Sequence, residues 1–100
     1  MNILQEADGL TSGDRNHQYG SPLANHTCTA ALWSTWLARR HGVALTLTPD
    51  DVCALNILQK MSRAANSAEI KRDTIVDVAG FARNIEMVQD ERERRNPTKP

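Results

Sequence analysis

An all-α fold of four helices is what this chain predicts, and three observations predict it. Apolar residues recur at helical spacing over four separate stretches. Two of those stretches open on strong start signals, Ser21-Pro22 and Thr48-Pro49-Asp50-Asp51, each with a capping hydroxyl and a proline in the first helical position. The best strand candidate, Val43 to Leu47, alternates over only five residues and has no evident partner.

The first helix is short, about Ile3 to Leu10, with Ile3, Leu4, Ala7 and Leu10 on one side and Gly9 and Gly13 weakening its end. The second runs from Pro22, capped by Ser21, to about His41, where Gly42 is a natural stop. Leu23, Thr27, Ala30, Trp33, Ser34 and Leu37 make one face of it, and Cys28, Leu32 and Trp36 another nearly opposite. A helix with two apolar faces touches two bodies.

The third helix, about Pro49 to Ala65, begins on a Thr-x-x-Asp relative of the capping box, with two acids at its positive end. Ala54, Leu55, Ile57, Leu58, Met61 and Ala65 cover about half its circumference, which predicts a central position. Asn56, Gln59, Lys60 and Arg63 form its narrow polar side.

Asn66 and Ser67 break the pattern before a fourth helix from about Ala68 to Arg94. Thr74, Val78, Phe81, Ile85 and Val88 line its inner face, and Asp90–Arg94 and Glu91–Arg95 are i,i+4 pairs at its solvated end. The last two helices are expected to form a long antiparallel hairpin. Residues 1–95 read as one domain and residues 96–100 as a frayed tail.

One hundred residues bury a modest core, so a helical chain of this size is expected to share that core in a homo-oligomer. Lysine plus arginine equals aspartate plus glutamate at 12 each, which argues against nucleic-acid binding. No apolar run approaches membrane-spanning length and no leader pattern opens the chain, so a cytoplasmic protein is expected. Cys28 and Cys53 fall inside helices and read as buried apolar thiols rather than a disulfide.

The densest chemistry lies in Gly13-Asp14-Arg15-Asn16-His17-Gln18-Tyr19-Gly20-Ser21-Pro22, which groups an acid, a base, an imidazole and a phenol between turn formers. So polar a segment is costly to order unless it holds something. Asp73 and Asp77 stack one turn apart on the fourth helix. They could share a divalent cation, or Asp77 could pair with Lys60 or Arg63 while Asp73 stays in water. Other constellations fail. His26 and Cys28 point apart on their helix, against zinc ligation. No phosphate-cradling glycine loop is present.

Gly13-Asp14-Arg15, Tyr19-Gly20-x-Pro22, Trp33, Ile57-Leu58-x-Lys60-x-x-Arg63, Lys71-Arg72-Asp73 and Asp77-x-x-Gly80-Phe81 together resemble a family of small phage and prophage proteins of uncharacterised function. The likeness runs from about Ile3 to Met87. That family is distantly similar to the MazG-like all-α nucleoside triphosphate pyrophosphohydrolases and to phage nucleotide-modification-associated domains. The resemblance implies a phage- or prophage-encoded MazG-like helical domain acting in the bacterial cytoplasm. Such enzymes hold magnesium with a Glu-x-x-Glu on one helix and a Glu-x-x-Asp on the next. Here Asp73 and Asp77 stand in the second place, but Asn56-x-x-Gln59 replaces the paired glutamates. Neutral amides bind magnesium far more weakly, which counts against hydrolysis.

What the resemblance and the missing acids imply is a binder of a nucleotide, cyclic or modified forms used in host defence included. Arg15, Lys60 and Arg63 would contact phosphate, with His17 and Asp14 beside them. Tyr19, and Trp36 in one reading, would stack on a base. In the competing readings Tyr19 plugs a helix junction, Asp14–Arg15 is an internal ion pair, Trp33 is core and Trp36 serves a subunit interface. One alternative function is a Mg2+-dependent pyrophosphohydrolase using Asp73, Asp77 and either Asp14 or Glu69. Another is an interaction adaptor built on the Cys28–Leu32–Trp36 stripe.

Overall fold

Four helices make up the described residues: α1 (Ile3–Thr11), α2 (Pro22–His41), α3 (Pro49–Ala65) and α4 (Arg72–Arg95). The structure is a computed structural model that describes residues 1–11 and 21–96. Asp14, Arg15, His17 and Tyr19 therefore lie outside the described residues, as do residues 97–100. No strand occurs among the described residues, and the Val43–Leu47 stretch is an irregular link tied down by Leu47 N–H donating to Ser34 Oγ at 2.9 Å.

The start and stop signals operate as the sequence predicts. Ser21 Oγ accepts from the Ala24 amide at 3.2 Å. Gly42 closes α2 in the left-handed region at φ 66°, the conformation glycine adopts without a Cβ clash. Thr48 and Asp51 complete a reciprocal capping box, with Asp51 N–H donating to Thr48 Oγ1 at 3.2 Å and Thr48 N–H donating to Asp51 Oδ2 at 2.9 Å.

The start of α4 departs from expectation. It begins at Arg72 rather than near Ala68, after Lys71 in extended conformation and without a side-chain cap. Reversing direction between two packed helices takes several non-helical residues, and 66–71 supply them. Arg72 then reaches back to the amino end, donating from Nη2 to Glu6 Oε2 at 2.6 Å and to the Met1 carbonyl at 2.8 Å.

Two ion pairs set the α3–α4 register. Asp50 lies 3.2 Å from Arg92 and Lys60 lies 3.2 Å from Asp77, so numbers rise along one helix as they fall along the other. The hairpin is antiparallel. Glu6 with Arg72 and Thr11 against Gly80 rise together, so α1 runs parallel to α4. His26 beside Asn84, with Ser21 nearer Met87 and Arg94, makes α2 antiparallel to it.

The central helix is thus α4, which packs on α1, α2 and α3; the expectation that α3 sits centrally is corrected. The inward face of α3 is Val52, Cys53 and Ala64, with Asn56, Ile57 and Lys60 half-buried, whereas Ala54, Leu55, Leu58 and Met61 are exposed. The core is built of small side chains: Ala7, Ala30, Val52, Cys53, Ala64, Val76 and Val88. On α2 the buried positions are Pro22, His26 and Ala30, so the inner face is rotated toward His26, and Thr27 is exposed. Cys28, expected to be buried, is exposed; Cys53 is buried, and both thiols are free.

Candidate functional site

The central stretch of α4 carries the chemistry, and each neighbouring helix delivers one group to it. From α3 comes Lys60, whose side chain is 15% exposed and whose Nζ sits 3.2 Å from Asp77 Oδ2. Asp73, one turn earlier, is exposed, as is Arg63 on α3. The structure therefore joins Lys60 to Asp77, one of the two pairings open from sequence, and leaves Asp73 at the surface.

From α1 comes Thr11, whose hydroxyl donates to the Ala7 carbonyl at 2.8 Å, turning its methyl toward Gly80. A hollow of about 60 Å³ opens there, bordered by Leu10, Thr11, Asp77, Gly80, Phe81 and Asn84. That volume holds a couple of waters or a small group, since a water occupies about 30 Å³ in the liquid.

From α2 comes His26, a residue that sequence reasoning set aside. It is buried, and the Asn84 amide lies 3.4 Å from its Nε2, where it can donate to a neutral ring. Loss of hydration on burial pushes its pKa below the usual histidine value and keeps the ring uncharged. Its i,i+4 spacing from Pro22 and Ala30, both buried, was the available signal.

One and two turns beyond Asn84 lies a larger cleft, about 220 Å³, bordered by Ser21, Arg83, Met87, Asp90, Glu91 and Arg94. Arg83, not singled out from the sequence, is held between Asp8, 3.6 Å away, and Glu86. Glu91 pairs with Arg95 at 2.8 Å, as the i,i+4 spacing predicts, while Asp90 and Arg94 border the cleft. The cleft mixes both signs of charge and takes the amino end of α2 as one wall.

A separate hollow of about 320 Å³ lies between α2 and α3, bordered by Trp33, Trp36, Leu37, Leu47 and Leu55. It is apolar. Trp33 is half-buried there and Trp36 is exposed.

The magnesium set implied by the resemblance does not fit the described residues. Asp77 is committed to Lys60, Asn56 and Gln59 are neutral, and no group of three or more His, Cys, Asp or Glu among the described residues is placed to hold a metal ion. No described helix is long and apolar enough to cross a membrane.

A family model described as Domain of unknown function (DUF6378) matches residues 2–89. The Gene 55 protein of Mycobacterium phage L5 is 35% identical over 100 residues, covering 100% of this chain and 60% of that protein. The Gene 55 protein of Mycobacterium phage D29 is 35% identical over 89 residues, covering 89% of this chain and 54% of that protein. The chain thus spans less than two thirds of the length of these curated relatives. No solved structure matches it.

Proposed function

The chain belongs to the DUF6378 family, and on that premise we propose that it is a nucleotide-binding domain of MazG-like ancestry that acts in the cytoplasm of the phage's bacterial host. It sequesters a nucleotide, of which the cyclic or modified forms used in host defence signalling are the leading candidates.

The observation that carries this reading is where the polar segment is anchored. Its two described ends, Thr11 and Ser21, each border a cavity on α4, one at Gly80 and the other at Met87. Seven residues of helix rise about 10 Å, whereas nine linking residues can span about 30 Å. In sequence, Asp14, Arg15, His17 and Tyr19 fall between these two cavity-bordering ends. Arg83 and Arg94 at the larger cavity are suited to phosphate oxygens, and Arg15 joins them in this reading. Lys60, beside Asp77, and the exposed Arg63 are the further phosphate candidates, on α3. Binding without turnover is favoured over pyrophosphohydrolysis because Asn56 and Gln59 stand where the paired glutamates would be and Asp77 is paired with Lys60.

Isothermal titration against mono-, tri- and cyclic nucleotides tests the proposal. Binding of at least one class, weakened tenfold or more by Arg15→Ala or Arg83→Ala with helicity unchanged, is the expected result. Silence across the whole panel overturns it.

A further inference from the structure

The outward side of α3 is more apolar than the side it turns to its own core. Inward it presents Val52, Cys53 and Ala64 with the partly buried Lys60; outward it presents Leu55, Leu58 and Met61 over roughly 120° of arc. Across the neighbouring hollow, α2 continues this surface with Trp36 and Leu32. We infer that this α2–α3 face is the contact surface of a symmetric homodimer, centred on Trp36, Leu55 and Leu58.

Area supports a protein partner of standard size. Leu32, Trp36, Leu55, Leu58 and Met61 are between 42% and 65% exposed. At roughly 200 Å² for a large apolar side chain, they leave on the order of 550 Å² of apolar surface open. That lies at the upper end of the largest apolar patch on an ordinary monomer and matches the apolar share of the roughly 800 Å² per partner in a stable interface.

Three features select a second copy as the occupant. A two-fold interface needs protrusion and recess on the same surface, because each patch meets its own image. This face has both: the Trp36 indole, 64% exposed, stands beside the 320 Å³ apolar hollow that Trp33 and Leu55 also border. The chain carries zero formal net charge, so copies do not repel one another at long range. Finally, among the described residues the fully buried side chains are no larger than valine, while Leu32, Trp36, Leu55, Leu58 and Met61 stay exposed on this face. The inference is independent of the nucleotide reading.

Sedimentation of the full chain across roughly 1–100 µM, the range over which a micromolar pair forms, tests it. Wild type should approach twice the 11.1 kDa chain mass. Leu58→Glu and Trp36→Glu should each raise the dimer dissociation constant tenfold or more with unchanged far-UV circular dichroism. Leu4→Glu, on an exposed site of α1, should leave assembly as in wild type. Leu58→Glu decides the matter if Trp36→Glu unfolds, since Leu58 is 63% exposed. A single-chain mass throughout, a dimer that survives both charges, or a dimer broken equally by Leu4→Glu overturns the inference, the first two pointing to a different occupant or a different face.

Discussion

Lys60 Nζ lies 3.2 Å from Asp77 Oδ2, and the two partners are unequally wet: the lysine side chain is 15% exposed and the aspartate 41%. An ion pair with one buried member is asymmetric toward mutation. Removing the exposed partner strands a charge in the interior, whereas removing the buried charge leaves a carboxylate that water can solvate.

Asp77→Asn is therefore expected to destabilise by about 1–2 kcal/mol, after allowance for solvent screening of the exposed partner. Lys60→Met should cost clearly less, because an apolar side chain of similar length fills the same space. Urea midpoints of the two single variants and the double variant check this, and the double should resemble Lys60→Met alone.

Acid should weaken the fold through His26. Its folded pKa is lowered by burial, so the native state favours the neutral ring. The stabilisation is fully present above the unfolded value of about 6.5 and is lost as pH falls from there toward the folded value. Wild type should lose more of its urea midpoint between about pH 7.5 and about pH 5.5 than His26→Gln does. Equal losses would show that carboxylates alone account for the slope.

The two thiols should separate cleanly under alkylation. Cys53 is buried, and desolvation together with the nearby Asp50 charge pushes its pKa up to about 11, so thiolate is scarce at neutral pH. Cys28 is exposed. Native protein should lose Cys28 rapidly to a thiol reagent and retain Cys53, and denaturant should release the second thiol. Protection of Cys28 at high protein concentration would extend the proposed contact surface along α2.

Gly80→Ala should stabilise the chain by about 0.5–1 kcal/mol, because mid-helix glycine carries a conformational cost relative to alanine. Among the described residues the new Cβ would meet only Thr11 Cγ2, at an ordinary 3.6 Å. The same methyl narrows the hollow beside Phe81 and Asp77, so a gain in melting temperature paired with weaker nucleotide binding would implicate that hollow in recognition.

Helix existence and ends were legible because they are local events. The Thr48–Asp51 box, the Ser21 cap and the Gly42 stop each depend on residues within one turn, and all three appear where their residues predict. Orientation was less legible. On α2 the choice between Thr27 and His26 as an inward residue rested on hydropathy, and Asn84 on a distant helix settled it by offering His26 a partner. On α3 the large leucines marked the most apolar arc, yet that arc faces outward because the antiparallel pairing brings Lys60 to Asp77 and Asp50 to Arg92.

The chemistry followed the same division. On a helical wheel Asp77 lies nearer the apolar face than Asp73, and the approach of α3 decides that Asp77 meets Lys60 while Asp73 stays at the surface. Arg83 has a local partner in Glu86 at i+3, but its other partner, Asp8, lies on another helix and could not be read from the neighbourhood. By itself the sequence determined four helices, their caps and most of their boundaries, because hydrogen bonds within a turn and the conformational limits of glycine and proline act over a few residues. Tertiary structure alone decided which helix is central, which of two apolar faces is buried and which charges meet, because burial and ion pairing depend on groups brought together from opposite ends of the chain.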